Sequence, residues 1–172
     1  MIRKLAMSLA MIGLLAACNP NAAPQANISS ADREQLEGLM RSYLDSATQA
    51  NAQGFTAAPG ANDEIAALQP DADHRWDVNL AAGTSYRILG VCDNECSNVD
   101  MELIDGSGAV VQSDVLPDDI PIVNITPAAA GRYSVRMVMK TCTLAPCYVG
   151  GRVLQQQPAP AVVQPVMGTP GK

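Results

Sequence analysis

Aromatic and basic side chains are what this chain has least of. Its 172 residues hold one tryptophan, one phenylalanine, four tyrosines and one histidine. A platform that stacks sugars or bases draws on several aromatic faces, so none is expected. Lysine and arginine together number 11 against 17 aspartates and glutamates, a formal net charge of −6. Such a balance argues against nucleic acid and anionic lipid headgroups as partners, and leaves divalent cations and basic surfaces open. The single histidine, His74, lies between Asp73 and Arg75 at the start of a polar-flanked strand. Acyl transfer needs a nucleophile, a base and an orienting group. The chain has no G-x-S-x-G elbow, no H-E-x-x-H zinc motif and no phosphate-binding glycine loop. Paired carboxylates serve glycosidases, but the acidic residues here fall mainly in turns, where solvation is their ordinary role. Catalysis is not expected. Also missing is any apolar run of about 20 residues, the length a bilayer-spanning helix requires.

The longest predominantly apolar run, residues 5–17, follows Arg3 and Lys4 and ends in Leu15-Ala16-Ala17-Cys18. A basic start, a short apolar segment and small residues form the pattern of an export signal. With cysteine directly after the small residues, the segment resembles the lipobox of bacterial lipoproteins. The resemblance implies that Cys18 is lipidated on sulfur, becomes the first residue of the mature chain and is acylated on its amine. Two or more acyl chains anchor a protein stably where one does so only marginally. Residue 19 is asparagine rather than the aspartate that favours inner-membrane retention, so the implied location is the periplasmic face of the outer membrane. Removal of residues 1–17 takes Arg3 and Lys4 with it. It leaves 155 residues with 9 basic and 17 acidic groups, a net charge of −8. That length suits one domain around one core.

Four cysteines remain: Cys92, Cys96, Cys142 and Cys147. An even number in an exported chain reads as two disulfides. The spacings are C-x3-C and C-x4-C, neither of them the C-x-x-C of thioredoxin-like centres. Four thiolates also suit zinc, but an oxidising compartment favours disulfides. Short loops close at least cost, so the expected pairs are Cys92–Cys96 and Cys142–Cys147. The competing arrangement crosses the two turns, for example Cys92–Cys142, if these strand ends meet at one end of the fold.

Residues 18–28 are small, polar and proline-containing, and read as a tether. Ser29 to Asn51 reads as a helix within a 29–54 segment, capped by Ser29 or Ser30, with Asp32 and Glu34 at the positive end of its dipole. Leu36, Leu39, Met40, Tyr43, Leu44 and Ala47 recur at helical spacing as one stripe. This face is expected to be covered, by the rest of the chain or by an envelope protein partner. From Gly54 onward the period changes to two. Trp76-Val78-Leu80, Val99-Met101-Leu103 and Tyr133-Val135-Met137-Met139 each alternate with largely polar residues, as half-buried strands do. Tyr86–Cys92, Ala109–Ser113, Ile120–Thr126 and Tyr148–Leu154 are further strands, and Phe55–Leu68 holds one more. Ala82-Gly83, Asp105-Gly106-Ser107-Gly108, Pro117-Asp118-Asp119 and Ala130-Gly131 carry turn chemistry between them. The expected fold is mainly β: an antiparallel, jelly-roll-like β-sandwich over 55–155, preceded by one amphipathic helix. Residues 156–172, rich in proline and glutamine, read as a disordered tail.

Four stretches carry a second resemblance: Ala82-Gly83-Thr84-Ser85-Tyr86; Val99-Asp100-Met101-Glu102-Leu103-Ile104-Asp105-Gly106-Ser107-Gly108; Val123-Asn124-Ile125-Thr126-Pro127; and Gly131-Arg132-Tyr133-Ser134-Val135. Their order and spacing over about residues 72–155 resemble the bacterial pre-peptidase C-terminal domain family. The resemblance implies a compact β-sandwich serving as an accessory or substrate-binding module of exported proteins. Related collagen-binding domains bind calcium. The two cysteine pairs are not a general feature of that family.

No cofactor is expected, with calcium as the alternative. Its candidate ligands are Asp93, Glu95 and Asp100 in one acidic cluster and Asp118 and Asp119 in another. Calcium takes six to eight oxygens from flexible loops, though the spacing is not that of an EF-hand. The functional expectation is a membrane-anchored lipoprotein with a non-catalytic binding or structural module. The alternatives are a calcium-dependent binding module and an accessory or inhibitor of an exported protease.

Overall fold

The computed structural model describes residues 29–157. The expected lipid site at Cys18, the tether over 18–28 and residues 158–172 of the expected tail over 156–172 lie outside the described residues. Gln156, expected to begin that tail, instead ends the last strand, paired with Phe55.

Helix α1 spans Ser30–Asn51. Ser29 caps it: the Oγ accepts the Asp32 N–H at 3.1 Å and donates to the Asp32 carboxylate at 2.7 Å. One orphan donor of the first turn is thereby satisfied, and the negative charge sits at the positive helix end. The helix closes with the Ala52 N–H on the Thr48 carbonyl, and the chain turns away at Gly54, whose φ of +80° suits glycine.

Nine strands follow: β1 Phe55–Ala57, β2 Glu64–Leu68, β3 Asp73–Leu80, β4 Tyr86–Cys92, β5 Cys96–Ile104, β6 Val110–Asp114, β7 Ile122–Ile125, β8 Gly131–Cys142 and β9 Cys147–Gln156. They form two antiparallel sheets. The first runs β1-β9-β4-β7, with β2 also paired to β9 beyond β1. The second runs β3-β8-β5-β6. The stretch expected to hold one strand, residues 55–68, holds two, both completing the edge along β9. Ile88, Val99, Met101, Leu103, Val123, Val135, Met137, Met139, Val149 and Val153 fill the space between the sheets. The mainly β, two-sheet fold with one helix agrees with the sequence reading.

The helix makes a third layer on the outer face of the first sheet. Leu44 and Ala47 pack on Leu89 and Val91 of β4, which point away from the inner core. Both faces of β4 are therefore covered, and this explains why Tyr86–Cys92 lacks the alternation seen in β5 and β8. Two consecutive glycines of β9 make room on either side. A Cβ at Gly150 would lie 3.2 Å from the Leu44 side chain, and one at Gly151 would lie 2.5 Å from Cη2 of Trp76. Successive strand residues face opposite sides, so this pair admits the helix on one face and the indole on the other.

Arg152 ties the layers together. Its Nε and Nη2 donate to the Asp63 carboxylate at 2.8 Å each, while Nη1 donates to Asp45 of the helix at 2.7 Å and to the Thr48 hydroxyl at 3.3 Å. The guanidinium is largely buried, and the Asp63 carboxylate holds its pKa above the ordinary arginine value. Of the helical stripe, Met40, Leu44 and Ala47 are buried, whereas Leu39 is 39% exposed. Residues 30–35 are exposed on every side, so the first turns are not packed against the sheet.

Candidate functional site

One end of the sandwich is built from the two cysteine pairs. Cys92 bonds Cys96 and Cys142 bonds Cys147, each with Cα atoms 5.9 Å apart. Cys96 and Cys142 are also register neighbours across β5 and β8. The strand ends thus do meet, which was the condition for crossed bridges, and the pairing is nevertheless local. The Thr143 N–H and hydroxyl both donate to the Glu95 carbonyl, at 2.8 and 2.9 Å, and lock the two turns to each other.

Asp93 sits inside this arrangement. Its N–H donates to the Tyr148 carbonyl, the Tyr148 N–H donates back to Oδ2 at 2.6 Å, and its own carbonyl accepts from Cys96. The side chain is buried, at 9% exposure, and Oδ1 has no hydrogen-bond partner among the protein atoms. Burial pushes the carboxyl above the usual aspartate range, against the pull of the Tyr148 N–H and with the nearby Glu95 charge adding to the rise.

Asp93 lines a groove of about 530 Å³ between α1 and the Cys92–Cys96 turn. Tyr43, Ala47 and Ala50 come from the helix, Val91 and Asn94 from β4 and its turn, and Asp119 and Ile120 from the loop before β7. Tyr43 donates its hydroxyl hydrogen to Asn94 Oδ1 at 3.3 Å, tying the two walls. The groove exists only because the helix lies on the sheet. The apolar stripe of the helix signalled that its face would be covered, and the Gly-Gly pair inside a strand pattern is the signal of where it docks.

The five residues expected to ligate calcium fall in different places. Asp93 and Asp119 share the groove. Glu95 is exposed in the turn. The Asp118 carboxylate accepts its own loop's Ile120 N–H at 3.0 Å. Asp100 alternates with the buried Val99 and Met101 and so faces the outside of the second sheet, where burial raises its carboxyl while Lys140 opposes the rise. Among the described residues, no group of three or more aspartates, glutamates, histidines or cysteines converges as a metal site.

His74 is engaged at the open side of the sandwich. Its Nε2 lies 3.4 Å from Glu64 of β2, and its ring stacks on Trp76 with centroids 5.8 Å apart. A second cavity of about 340 Å³ opens beside it, lined by Trp76, Glu64, Asn62 and Tyr86 among others. Among the described residues, no helix is long and apolar enough to cross a membrane. No family model and no curated protein matches this chain.

Proposed function

We propose that the protein is a lipid-anchored lipoprotein of the cell envelope, held through Cys18, whose β-sandwich is a non-catalytic binding or structural module. The observation that carries the reading is the pair of local disulfides. Such bonds persist in oxidising compartments outside the cytoplasm and are rare within it. They agree with the independent signal of Arg3, Lys4, the apolar run and Leu15-Ala16-Ala17-Cys18. Asn19 favours the outer membrane, facing the periplasm. The resemblance to pre-peptidase C-terminal domains supports an accessory binding role, and the two-sheet fold is compatible with it. His74, held between Glu64 and Trp76, suits a structural role at the sheet edges.

Fractionation of wild type against Cys18→Ala tests the anchor. Wild type is expected in the membrane fraction and released by detergent, with the variant soluble or retained as an unprocessed form. A mature-sized wild-type protein recovered wholly in the soluble fraction overturns the reading.

A further inference from the structure

We propose that residues 161–164 of this chain, Ala-Val-Val-Gln, add as an antiparallel strand to the free edge of β3 and set one valine into the cavity of about 340 Å³ beside it. The segment lies outside the described residues. The proposal goes beyond the binding or structural role given above, and it does not depend on the lipid at Cys18.

Three observations support it. First, β3 is the longest strand at a sheet edge, with 8 residues where β1, β2, β6 and β7 have 3 to 5. Among the described residues only β8 pairs with it. The Met139 N–H bonds the Ala72 carbonyl, and the register runs on from there. Residues of an antiparallel ladder alternate between bonding the neighbour and turning away from it. Trp76 and Val78 therefore bond β8, while Asp77 and Asn79 turn their N–H and C=O groups to the open edge. Such a row is a template for a further strand. Second, the cavity lies against this stretch. Asp77, Val78 and Asn79 form one wall, and Ala58 and Val153 belong to the facing one. Successive strand residues face opposite sides, so a strand laid on β3 turns either Val162 or Val163 inward, on the side of the buried Val78. Third, the chain leaves β9 at the matching place. The Gln156 N–H bonds the Ser85 carbonyl, and the adjacent Tyr86 hydroxyl accepts the Ala81 N–H just past the end of β3. Both strands run toward this end of the sandwich, so a chain that turns back runs antiparallel to β3. The 15 residues beyond Gln157 begin with Pro158-Ala159-Pro160. Three extended residues reach about 10 Å, the spacing of two packed sheets. Prolines suit that turn, and Pro165, which lacks an N–H, limits the strand. Residues 158–171 carry no charge, so neither the acids nor the bases along β3 repel them. Joined to the same chain, the segment meets the edge at a high effective concentration that a separate partner lacks.

The test is amide hydrogen exchange on the full-length protein, disulfides intact, beside the same chain carrying both Val162→Pro and Val163→Pro. Prolines there remove ladder donors and leave residues 29–157 unaltered. In the variant the Asp77 and Asn79 amides are expected to exchange about tenfold faster or more, with the amides of β4 unchanged. Trp76 lines the cavity, so its emission is expected to move to longer wavelength as water replaces the valine. A chain ending at Gln157 is expected to behave as the variant does. Equal exchange at Asp77 and Asn79 in the two full-length chains overturns the proposal. So does a loss of protection spread equally over β4. Protection that rises with protein concentration also overturns it, because the added strand then comes from a second copy. None of these results bears on the fractionation of Cys18→Ala, so the two readings fail separately.

Discussion

Gly151→Ala puts the packing of the sandwich to a sharp test. A Cβ at this position would lie 2.5 Å from Cη2 and 2.8 Å from Cζ2 of Trp76. Carbon atoms in contact prefer about 3.5–4.0 Å, so the indole must retreat by about 1 Å. His74 stacked on the ring and Met137 nearby hold the indole from two sides, so it can retreat only toward the cavity it lines and at the expense of the His74 stack. Overpacking of this kind costs roughly 1–3 kcal/mol. Loss of glycine's freedom in the unfolded chain offsets about 0.4–1 kcal/mol of that. The expected net loss of about 1–2 kcal/mol corresponds to a fall in Tm of about 4–8 °C for a body of this size. Trp76 is the only tryptophan, so its emission reports the displacement directly while circular dichroism follows the melt. Phenylalanine lacks the Cζ2 and Cη2 atoms of the indole's outer edge. In a Trp76→Phe background the same alanine is therefore expected to cost under about 0.5 kcal/mol, a coupling that a double-mutant cycle isolates. A Gly151→Ala protein with unchanged emission and a Tm within about 1 °C of wild type would contradict so close a contact between position 151 and the indole, as would strict additivity in the cycle.

Leu44→Ala, at a fully buried position facing Gly150 and Val91, should cost about 2–5 kcal/mol in chemical denaturation, whereas Leu39→Ala should stay within about 0.5 kcal/mol. Asp63→Asn leaves the largely buried Arg152 short of its main partner and should destabilise by about 3 kcal/mol, with hydrogen exchange rising first in α1. Replacing Cys142 and Cys147 together by serine should lower stability by about 2 kcal/mol, the chain-entropy value for so short a loop, as read by urea midpoints under oxidising conditions. Because burial raises the Asp93 carboxyl, the folded protein holds a proton there that the unfolded chain has already released above about pH 4. That contribution to stability is lost as pH rises through the folded value. Asp93→Asn should remove this limb from a Tm–pH profile, and an unchanged profile would count against a buried Asp93.

Much of the fold was legible because one face of many strands meets solvent. β5 and β8 alternate since the outer face of their sheet is uncovered, and Ser29 with Asp32 announced the helix start. Legibility ended where a third layer intervened. Leu39 shares the helical stripe with Met40 and Leu44, yet the sheet covers only the latter two. The acidic clusters were visible as charge, but their grouping depended on layers. Asp100 faces away from the helix side, and only Asp93 and Asp119 meet beside α1. Nothing in local spacing separates those cases, because strand register and helix docking are set by contacts far apart in the chain. The disulfide pairing was accessible from spacing, and the meeting of Cys96 with Cys142 was not.

The role proposed for this protein rests above all on a lipid at Cys18. The most direct measurement is mass spectrometry of the amino-terminal peptide of protein extracted from its native membranes. The expected peptide begins at Cys18 and bears a diacylglyceryl group on sulfur and an acyl chain on its amine. A peptide that begins elsewhere, or a Cys18 carrying no lipid, would contradict it.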